Sequence, residues 1–325
     1  MAKIDIIIPS YKSQAFLHKA LASIALQTVA DNIRVTVVLD GETVGPYQDI
    51  MYDFERYFQL DFIELTPNGG PAVARQKGLD TTFCPYVMFL DADDTLAGAY
   101  AVEMLLKKLE DDESVVLVGG TFYEKRQDMS FVKHENDMTW LHGKMYRRSF
   151  LDKRQIRFNN TRANEDVGFN TKIKLLETET ERIAFLPNLV YYWHFNDDGI
   201  TRVNNFEYTY NQSYFGYVGN QIDAITFAHK IVGDEKFLLG YSLEVLANIY
   251  IYILRLRWKN PEKEPEAFEF ATRYFDEVIK VLDFDSVKDE EYQEIITVSI
   301  ASQISHLHGY IIDMTFYEFL NILMA

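Results

Sequence analysis

Short apolar runs and longer segments with helical spacing alternate along residues 1–119. The short runs are rich in Ile and Val, as buried strands are, whereas the longer segments place apolar residues three and four positions apart, on one face of a helix. The predicted strands are residues 4–8, 34–39, 60–65, 86–90 and 115–119. The predicted helices are residues 14–28, 46–58, 71–83 and 99–109. This alternation predicts right-handed βαβ units and an α/β fold with a mostly parallel sheet flanked by helices.

The pattern changes after this region. Residues 120–206 are less regular, with one predicted helix at 165–177 and one predicted strand at 189–195. From about Glu207 onward the chain consists of long helical segments rich in Tyr, Phe and Leu, with few turn signals. We therefore predict a first domain at 1–206, with halves at 1–119 and 120–206, and a C-terminal all-α subdomain at 207–325.

Composition and charge narrow the function classes. Hydrophobic residues are 48% of the chain and charged residues 25%, which is ordinary for a folded globular protein. The net charge of −17 disfavours a general nucleic-acid binder or anionic-membrane binder, because both need an extended positive surface. A local basic patch is still compatible with this charge.

Cysteine use and the apolar segments predict a location. Cys84 is the single cysteine, so the chain has no disulfide framework, and we expect a reducing compartment. No signal peptide precedes the first predicted strand, so we expect a cytoplasmic protein. The most apolar stretch, residues 237–254, contains Glu244 and Asn248 and is predicted to be a buried helix rather than a transmembrane segment. The aromatic and basic end of residues 248–259 leaves a peripheral position at the inner face of the membrane as an alternative.

Polar residues follow four of the predicted strands. In open α/β sheets, ligands bind at the carboxyl ends of the strands. The four polar groups are at residues 9–11, 40–42, 68–70 and 91–93. We expect all four to gather on one edge of the sheet.

Three acids, Asp91, Asp93 and Asp94, follow the strand at 86–90 in the sequence LDADDT. Oxygen ligands of this kind suit Mg²⁺ or Mn²⁺, which usually take one or two carboxylates and complete their shell with substrate phosphates and water. The cluster therefore predicts a phosphate-bearing ligand, most simply a nucleoside diphosphate. The alternative is a polar turn that caps the next helix.

The sequence NGGPAVARQKGL places two glycines before the predicted helix at 71–83. Backbone N–H groups and the positive end of that helix could face an anion there. Neither a P-loop nor a GxGxxG dinucleotide motif is present. Arg75 lies one turn into the helix, where a solvated helix face is the alternative. Asp40 could be part of a common Asp-Gly turn, and Tyr11 could stack on a base or simply lie on the rim.

A second acidic group occurs in the sequence NEDVGF. Asn164 is a candidate helix cap, and the helix dipole favours Glu165 and Asp166 in the first turn. The functional alternative is that one of these carboxylates is a general base, which requires that it reach a reacting hydroxyl near Asp93.

Taken in order, these motifs resemble glycosyltransferase family 2. The matching segments are DIIIPSYKSQAFLHKALASIALQT, VVLDGE, NGGPAVARQKGL, FLDADD, HGKMYRRSFL and NEDVGFNTKI. The resemblance covers residues 3–202, which includes the loop around residues 193–202. The resemblance implies a GT-A fold and an inverting, metal-dependent transfer of a sugar from a nucleotide sugar, usually a UDP-sugar. It makes 1–119 the nucleotide-sugar-binding half and 120–206 the acceptor and catalytic half.

The resemblance also implies roles for individual positions. The implied nucleoside contacts are Pro9, Tyr11 and Asp40, with Asp40 on the base. The implied contacts along the nucleotide and its phosphates are Asn68, Gly70 and Arg75. The DxD segment Asp91-Ala92-Asp93 is implied to bind the metal and the ribose, with Asp93 the firmer metal ligand. Asp166, or failing it Glu165, is implied to be the catalytic base.

Some positions depart from the family pattern. Gln76 stands where an Asn is frequent, Trp193-His194 where an aromatic-Arg pair is frequent, and Gly199 where a Ser is common. His194 or Arg202 could therefore contact the diphosphate, or His194 could join the metal shell; the alternative is that His194 is an ordinary loop residue. Trp140 and His142 fall where relatives form the acceptor floor, with a core tryptophan as the alternative.

The acceptor is predicted from local charge. Residues 144–162 carry one acid, Asp152, against seven cations, namely Lys144, Arg147, Arg148, Lys153, Arg154, Arg157 and Arg162. We expect Lys144 and Arg147 to face the acceptor, which could be a glycan, a lipid-linked glycan or a polyol-phosphate polymer. The alternative is that these cations belong to the family pattern, because the sequence YRR occurs in the family whatever the acceptor.

Several hypotheses therefore stand beside the leading one. A glycoside hydrolase could use Asp93 and Asp166 as its two carboxylates, but it would need no nucleotide site. A nucleotide-sugar-binding module without strong catalysis is a second alternative. A transferase acting on hydroxymethylated bases of DNA is a third, which the overall negative charge disfavours. The C-terminal helices could pair two subunits into a homodimer.

Overall fold

A computed structural model of the chain describes residues 2–197, 213–283, 285–310 and 312–325. The chain divides into two compact units, Met1–Val203 and Asn204–Ala325. The domain boundary predicted after residue 206 lies outside the described residues and stays a prediction.

The first unit contains one mixed sheet with helices packed against it. Its strands are β1 (Ile4–Ser10), β2 (Ile33–Asp40), β3 (Gln59–Leu65), β4 (Tyr86–Phe89), β5 (Thr95–Leu96), β6 (Val115–Lys125), β7 (Phe131–His134), β8 (Lys144–Arg147) and β9 (Arg182–Trp193). Its helices are α1 (Gln14–Ala25), α2 (Gln48–Phe54), α3 (Pro71–Thr81), α4 (Ala101–Asp111), α5 (Arg148–Arg154) and α6 (Glu165–Leu175). The elements predicted for residues 1–119 all form, although α2 is shorter than predicted: a 3-10 turn, Gly45–Tyr47, precedes it, and it ends at Phe54 rather than at residue 58.

The sheet is mixed, and the greater part of its paired length is parallel, which confirms the predicted α/β fold with a mostly parallel sheet. The strand order is β3-β2-β1-β4-β8-β6-β9-β5, with β7 paired to β6. The β1–β2, β2–β3, β1–β4 and β6–β9 pairs are parallel, whereas β4–β8, β6–β8, β6–β7 and β5–β9 are antiparallel. Parallel neighbours need a crossover connection, but the segment between β6 and β8 forms only the short strand β7 and loops. It therefore returns the chain in the antiparallel sense.

The parallel part of the sheet is buried on both faces, which explains its uninterrupted Ile and Val runs. Ile4, Ile6, Ile7 and Ile8 have no exposed surface. Helix α3 lies so close to β1 that a Cβ on Gly78 would come within 2.3 Å of Ile7 Cγ2. This close packing fixes where α3 begins, and hence where the glycines before it lie.

The second unit is helical in its described residues, as predicted. Its helices are α7 (Tyr214–His229), α8 (Glu235–Lys259), α9 (Glu264–Tyr274), α10 (Lys280–Leu282), α11 (Glu290–Gln303) and α12 (Phe316–Met324), with a π-helical turn at Phe275–Ile279 between α9 and α10. Among the described residues, one helix, α8, has the length and composition to cross a membrane, with a mean hydropathy of 1.6 in its most apolar window. Of that window, 72% is buried inside the fold, which is also true of the core helix of many folded domains.

Candidate functional site

The ends of β1, β2 and β4 and the loop before α3 meet at one edge of the sheet. Asp40, at the end of β2, is 4% exposed and accepts three hydrogen bonds from the glycine loop. The donors are Asn68 Nδ2 at 2.9 Å, Gly69 N at 2.7 Å and Gly70 N at 2.8 Å. Asp40 therefore holds the loop in place, whatever contact it makes with a base.

Gly70 has a backbone conformation that suits glycine. Its φ is +90°, and it directly precedes Pro71, the first residue of α3. The Cγ atom of Arg162 lies 3.5 Å from where a Cβ on Gly70 would be, and the Arg162 guanidinium donates to Asn68 Oδ1 at 3.2 Å. The predicted phosphate contacts Asn68 and Gly70 thus lie in one short loop, and the exposed Arg162, from the segment before α6, contacts that loop.

The predicted nucleoside contacts lie beside this loop. Pro9 is in β1, and Tyr11 follows the strand with 48% of its surface exposed. Glu42 fixes the adjoining turn, because its Oε2 accepts from Lys12 N at 2.6 Å and from Tyr47 OH at 3.0 Å. An exposed aromatic ring on a fixed turn is suited to stacking on a planar base.

Arg75 is buried at the centre of the site, contrary to the alternative of a solvated helix face. Only 7% of its surface is exposed. Its Nη2 donates to Asp91 Oδ1 at 2.6 Å, and its Nη1 forms an ion pair with Glu165 Oε1. Burial alone would lower the pKa of Arg75, but the charges of Asp91 and Glu165 outweigh it and raise that pKa. Arg75, which was predicted to contact the phosphates, therefore also joins the DxD segment to the ED segment.

The acidic turn after β4 contains carboxylates in two different environments. Asp94 is 1% exposed and accepts from Tyr191 OH at 2.6 Å and from His194 N at 2.8 Å. Asp93 is partly exposed, and its Oδ2 accepts from Asn196 Nδ2 at 2.8 Å. Asp94 thus ties the turn to β9, whereas Asp93 retains access to a ligand.

The electrostatics of this turn fit a bound cation. Burial, together with the negative charge of Asp91, raises the pKa of Asp93, and burial with the charges of both neighbouring acids raises that of Asp94 well above its ordinary range. Carboxylate oxygens are the ligands that Mg²⁺ and Mn²⁺ prefer. A divalent cation would relieve the repulsion among these acids, so the residues present fit the predicted metal.

The metal ligands predicted from sequence are Asp91, Asp93 and His194. Within the described part of the chain, the compact group of possible ligand atoms consists instead of Asp91, Asp94 and His142, which lie within 4.8 Å of one another. Asp91 belongs to both sets, and the role of Asp93 as a ligand stays a prediction.

His194 lies outside that group. Its Nε2 is 2.8 Å from Thr95 Oγ1 and 3.2 Å from Lys19 Nζ. Burial and the neighbouring lysines lower its pKa to about 4, so the ring is neutral at pH 7. Its role as a metal ligand is untested. Arg202 and Gly199, the other predicted residues of this loop, lie outside the described residues.

The two carboxylates of the ED segment begin helix α6. Glu165 is 5% exposed and pairs with Arg75, so its charge is already neutralised. Asp166 is less buried, and its Oδ1 accepts from Val167 N at 2.8 Å. Burial and the charge of Glu165 raise the pKa of Asp166 to about 8. Asn164 occupies the N-cap position with a φ of +58°, but its side chain makes no capping hydrogen bond.

Trp140 and His142 belong to an aromatic cluster on one face of β9. The His142 ring lies 4.8 Å from Tyr191 and 4.9 Å from Trp193, and Trp140 lies 5.3 Å from Trp193, between ring centroids. Burial lowers the pKa of His142 to about 4. His142 is 7% exposed and Trp140 is partly exposed, so Trp140 is the more accessible of the two predicted acceptor residues.

The sequence predicts that Lys144 and Arg147 face the acceptor as free surface cations. In the structure, both are engaged by other parts of the fold. Lys144 is 1% exposed, and its ammonium donates to Trp140 O at 2.6 Å and lies 3.5 Å from Asp137. Arg147 donates to the carbonyls of Leu109 and Asp112, at the C-terminal end of α4. Both charges therefore serve the fold, and the acceptor role predicted for them is untested.

Three other basic residues of the 144–162 segment are likewise paired. Arg148 is buried against Asp5 at 3.1 Å. Lys153 and Arg154 both pair with Glu181. The local excess of positive charge that suggested a phosphate-bearing acceptor is thus largely neutralised by acids distant in sequence.

Sequence reasoning missed two residues that shape the site. Tyr191 OH bonds to Asp94, and Asn196 bonds to Asp93. Both lie near the end of β9, which the sequence predicted only as a strand at 189–195. The sequence signal was the run of aromatic residues in that strand, but its register against β6 and β5 came only from the fold.

Comparison with known proteins agrees with this arrangement. Residues 5–163 match the family model "Glycosyl transferase family 2". The chain is 28% identical over 230 residues to glycosyltransferase GlyA of Streptococcus pneumoniae, covering 62% of this chain and 32% of that protein. It is 28% identical over 240 residues to the teichoic acid poly(glycerol phosphate) polymerase of Staphylococcus epidermidis, covering 71% of this chain and 30% of that protein. The chain thus spans about a third of the length of these relatives.

Solved structures share the fold at low sequence identity. The S. aureus TarS 1–349 structure in complex with UDP-GlcNAc matches with a TM-score of 0.68 at 17% identity, over 94% of this chain and 92% of that chain. The mannosyltransferase PcManGT from Pyrobaculum calidifontis, in complex with GDP-Man and Mn²⁺, matches with a TM-score of 0.53 at 17% identity, over 93% of this chain and 86% of that chain. These likenesses establish a GT-A-like fold with a helical C-terminal region.

Proposed function

We propose that this chain, whose residues 5–163 match glycosyltransferase family 2, moves a sugar from a nucleoside diphosphate sugar, most simply a UDP-sugar, to an acceptor hydroxyl with inversion at the anomeric carbon. The observation that carries the proposal is the contact of Arg75 with both Asp91 and Glu165. This contact brings the DxD and ED segments together beside the glycine loop.

The residues of the chain divide the chemical tasks between them. Tyr11 and the loop fixed by Asp40 are positioned to hold the nucleoside, and Asn68 and Gly70 to lie along the nucleotide at the start of α3. The N–H groups of Gly69 and Gly70 already donate to Asp40, so the positive end of the α3 dipole, rather than those two donors, would favour phosphate. Asp93 and Asp91 would hold the divalent cation. When bound, that cation supplies positive charge against the negative charge that builds on the departing diphosphate.

Asp166 is proposed as the general base. A pKa raised to about 8 suits a carboxylate that takes a proton from a hydroxyl near neutral pH. Glu165 is the weaker candidate, because its ion pair with Arg75 already engages it. The deprotonated acceptor oxygen then attacks the anomeric carbon from the face opposite the nucleoside diphosphate. The bond between the anomeric carbon and the diphosphate oxygen breaks as the bond to the acceptor oxygen forms.

We propose a polyol-phosphate polymer as the acceptor. The support is the similarity to the poly(glycerol phosphate) polymerase and, at 24% identity, to the poly(ribitol-phosphate) beta-glucosyltransferase of Bacillus spizizenii. A glycan or lipid-linked glycan acceptor is the alternative. The hypothesis of a glycoside hydrolase finds no support in the family match.

We propose a cytoplasmic location for the reaction.

The test separates catalysis from donor binding. Asp166→Asn should lower the transfer rate by about a thousandfold or more while leaving the Kd for UDP in the presence of Mn²⁺ within about twofold. Asp93→Asn should instead weaken the Mn²⁺-dependent part of UDP binding. Calorimetric titration with UDP, GDP and CDP, each with Mn²⁺ or EDTA, identifies the donor class. If Asp166→Asn lost binding and turnover together, Asp166 would be a structural residue and the proposed base would be wrong.

A further inference from the structure

The outer end of the sheet carries a second group of aromatic side chains, on the face of β9 opposite to Trp193. Tyr192 alternates with Trp193 along the strand, so their side chains lie on opposite faces. The ring centroids of Tyr123, Phe131 and Tyr192 lie 6.1 to 6.4 Å from one another. Phe131 is 54% exposed, and the other two rings are partly exposed.

Basic residues alternate with these rings on the same face. In the register of β6 and β7, Lys125 pairs with Phe131 and Lys133 pairs with Tyr123. Directly paired residues of neighbouring strands lie on one face, so both lysines share the face of the aromatic rings. Lys133 is within 2.7 Å of Glu135, which neutralises part of its charge.

Helix α1 adds a further cation at the edge of this face. Lys19 Nζ is 3.2 Å from His194 Nε2, and the His194 ring lies 6.1 Å from that of Tyr192. Within the residues that the structure describes, neither Lys19 nor Lys125 forms an ion pair with a carboxylate. We call Lys19, Tyr123, Lys125, Phe131 and Tyr192 the outer face.

The outer face is connected to the candidate site through a short path. Thr95 lies on the same side, because it pairs with Tyr192 and its Oγ1 is 2.8 Å from His194 Nε2. The backbone N–H of His194 donates to Asp94, in the acidic turn. Two hydrogen bonds, through Thr95 and His194, therefore link the outer face to the acidic turn.

We propose that the outer face binds the phosphodiester-linked polyol chain of the acceptor, outside the catalytic centre. This proposal rests on the proposed function. In a chain of net charge −17, two cations without an acidic partner among the described residues are suited to a polyanion, and flat rings between them are suited to the C–H surface of a polyol or sugar unit. Neither a neutral glycan nor an isolated phosphate would use both features.

The experiment measures binding of purified poly(ribitol phosphate) and poly(glycerol phosphate) to the full chain by calorimetry. Lys19→Gln with Lys125→Gln should weaken polymer binding about fivefold or more, since two charge contacts are lost, and should make that binding less dependent on salt. Phe131→Ala should weaken it about threefold through lost stacking alone. Both variants should bind UDP with Mn²⁺ as the unaltered chain does.

Matched variants control for charge and for an exposed ring. Lys107→Gln with Lys236→Gln removes two exposed lysines on α4 and α8, and Tyr52→Ala removes a ring that is 77% exposed on α2. Neither should change polymer binding. Equal weakening by test and control variants would overturn the proposal, because it would reduce the effect to general charge.

Further outcomes separate this proposal from the one on which it rests. If the outer-face variants transfer sugar to a phosphate polymer at the unaltered rate and KM, the outer face is not an acceptor surface, although the proposed function stands. If the unaltered chain binds no nucleotide, the proposed function is wrong, and the acceptor role of the outer face falls with it. Binding of the outer face to anionic lipid vesicles in place of the polymers would also overturn the proposal.

Discussion

Arg75 lies between two carboxylates, Asp91 and Glu165, with 7% of its surface exposed. A charge that is buried in this way is stable only with its partners in place, because desolvation of an unpaired ion costs several kcal/mol. The same holds for Lys144, whose pKa burial lowers to about 8 although Asp137 raises it. At the scale of the residue, pairing therefore decides which charged side chains belong to the fold and which can meet a ligand.

Arg75→Ala should destabilise the first unit by about 3 kcal/mol or more, because it leaves two buried carboxylates without their counter-ion. Thermal unfolding measured without nucleotide checks this. Arg56→Ala, which removes an exposed arginine on the surface, is the control and should change stability by about 0.5 kcal/mol or less. Adding Glu165→Gln to Arg75→Ala should recover part of the loss. No recovery would mean that Arg75 acts through packing rather than charge.

Asp166→Asn should stabilise the ligand-free protein at pH 8 by about 5 kcal/mol and leave it nearly unchanged at pH 4. The folded pKa of about 8 lies above that of an exposed aspartate. As pH rises from 4 to 8, the unfolded chain therefore releases this proton while the folded chain retains it, and folding loses stability. The measurement is the difference in Tm between the variant and the unaltered chain across that range. A difference that did not grow with pH would contradict the raised pKa.

At the scale of the element, turns decide the site more than helices and strands do. The loop before α3 is held by three hydrogen bonds to Asp40, and the acidic turn after β4 is held by Tyr191 OH and His194 N on Asp94. Each clamp joins a strand end to a residue far away in the chain. The helices supply the positions, and the clamps make those positions rigid enough to pre-organise a ligand site.

Gly70→Ala should lower both stability and nucleotide affinity. A φ of +90° is unfavourable for any side chain and costs about 1–2 kcal/mol. The substitution should also shift the loop that Asp40 holds, so we expect UDP to bind about tenfold more weakly. Gly45→Ala, at a glycine with open space around its Cβ position, is the matched control. Unchanged UDP affinity in Gly70→Ala would show that this loop lies away from the nucleotide.

At the scale of the whole molecule, the two units have separate cores. Leu246 on α8 has no exposed surface in the second unit, and Val118 on β6 has none in the first. The residues proposed for donor binding and catalysis all lie in the first unit, so the chemistry is assigned to one unit of the two.

Leu246→Ala should destabilise the second unit by about 2–5 kcal/mol, because it opens a cavity in a packed helical core. It should leave the Kd for UDP with Mn²⁺ unchanged. Val118→Ala is the matching cavity variant in the first unit. Bound UDP should raise the Tm of that unit by the same amount in Val118→Ala and in the unaltered chain. A loss of UDP affinity in Leu246→Ala would show that the second unit shapes the donor site.

The sequence by itself determined the strand–helix alternation of residues 1–119, the gathering of polar residues at strand ends and the family resemblance, because periodicity and short motifs are local properties. It did not determine the antiparallel insertion of β8, the pairing of Lys144 with Asp137, or the burial of Arg75 between Asp91 and Glu165. Those features join residues far apart in the chain, so only the tertiary structure decides which charges neutralise each other and which remain for a ligand.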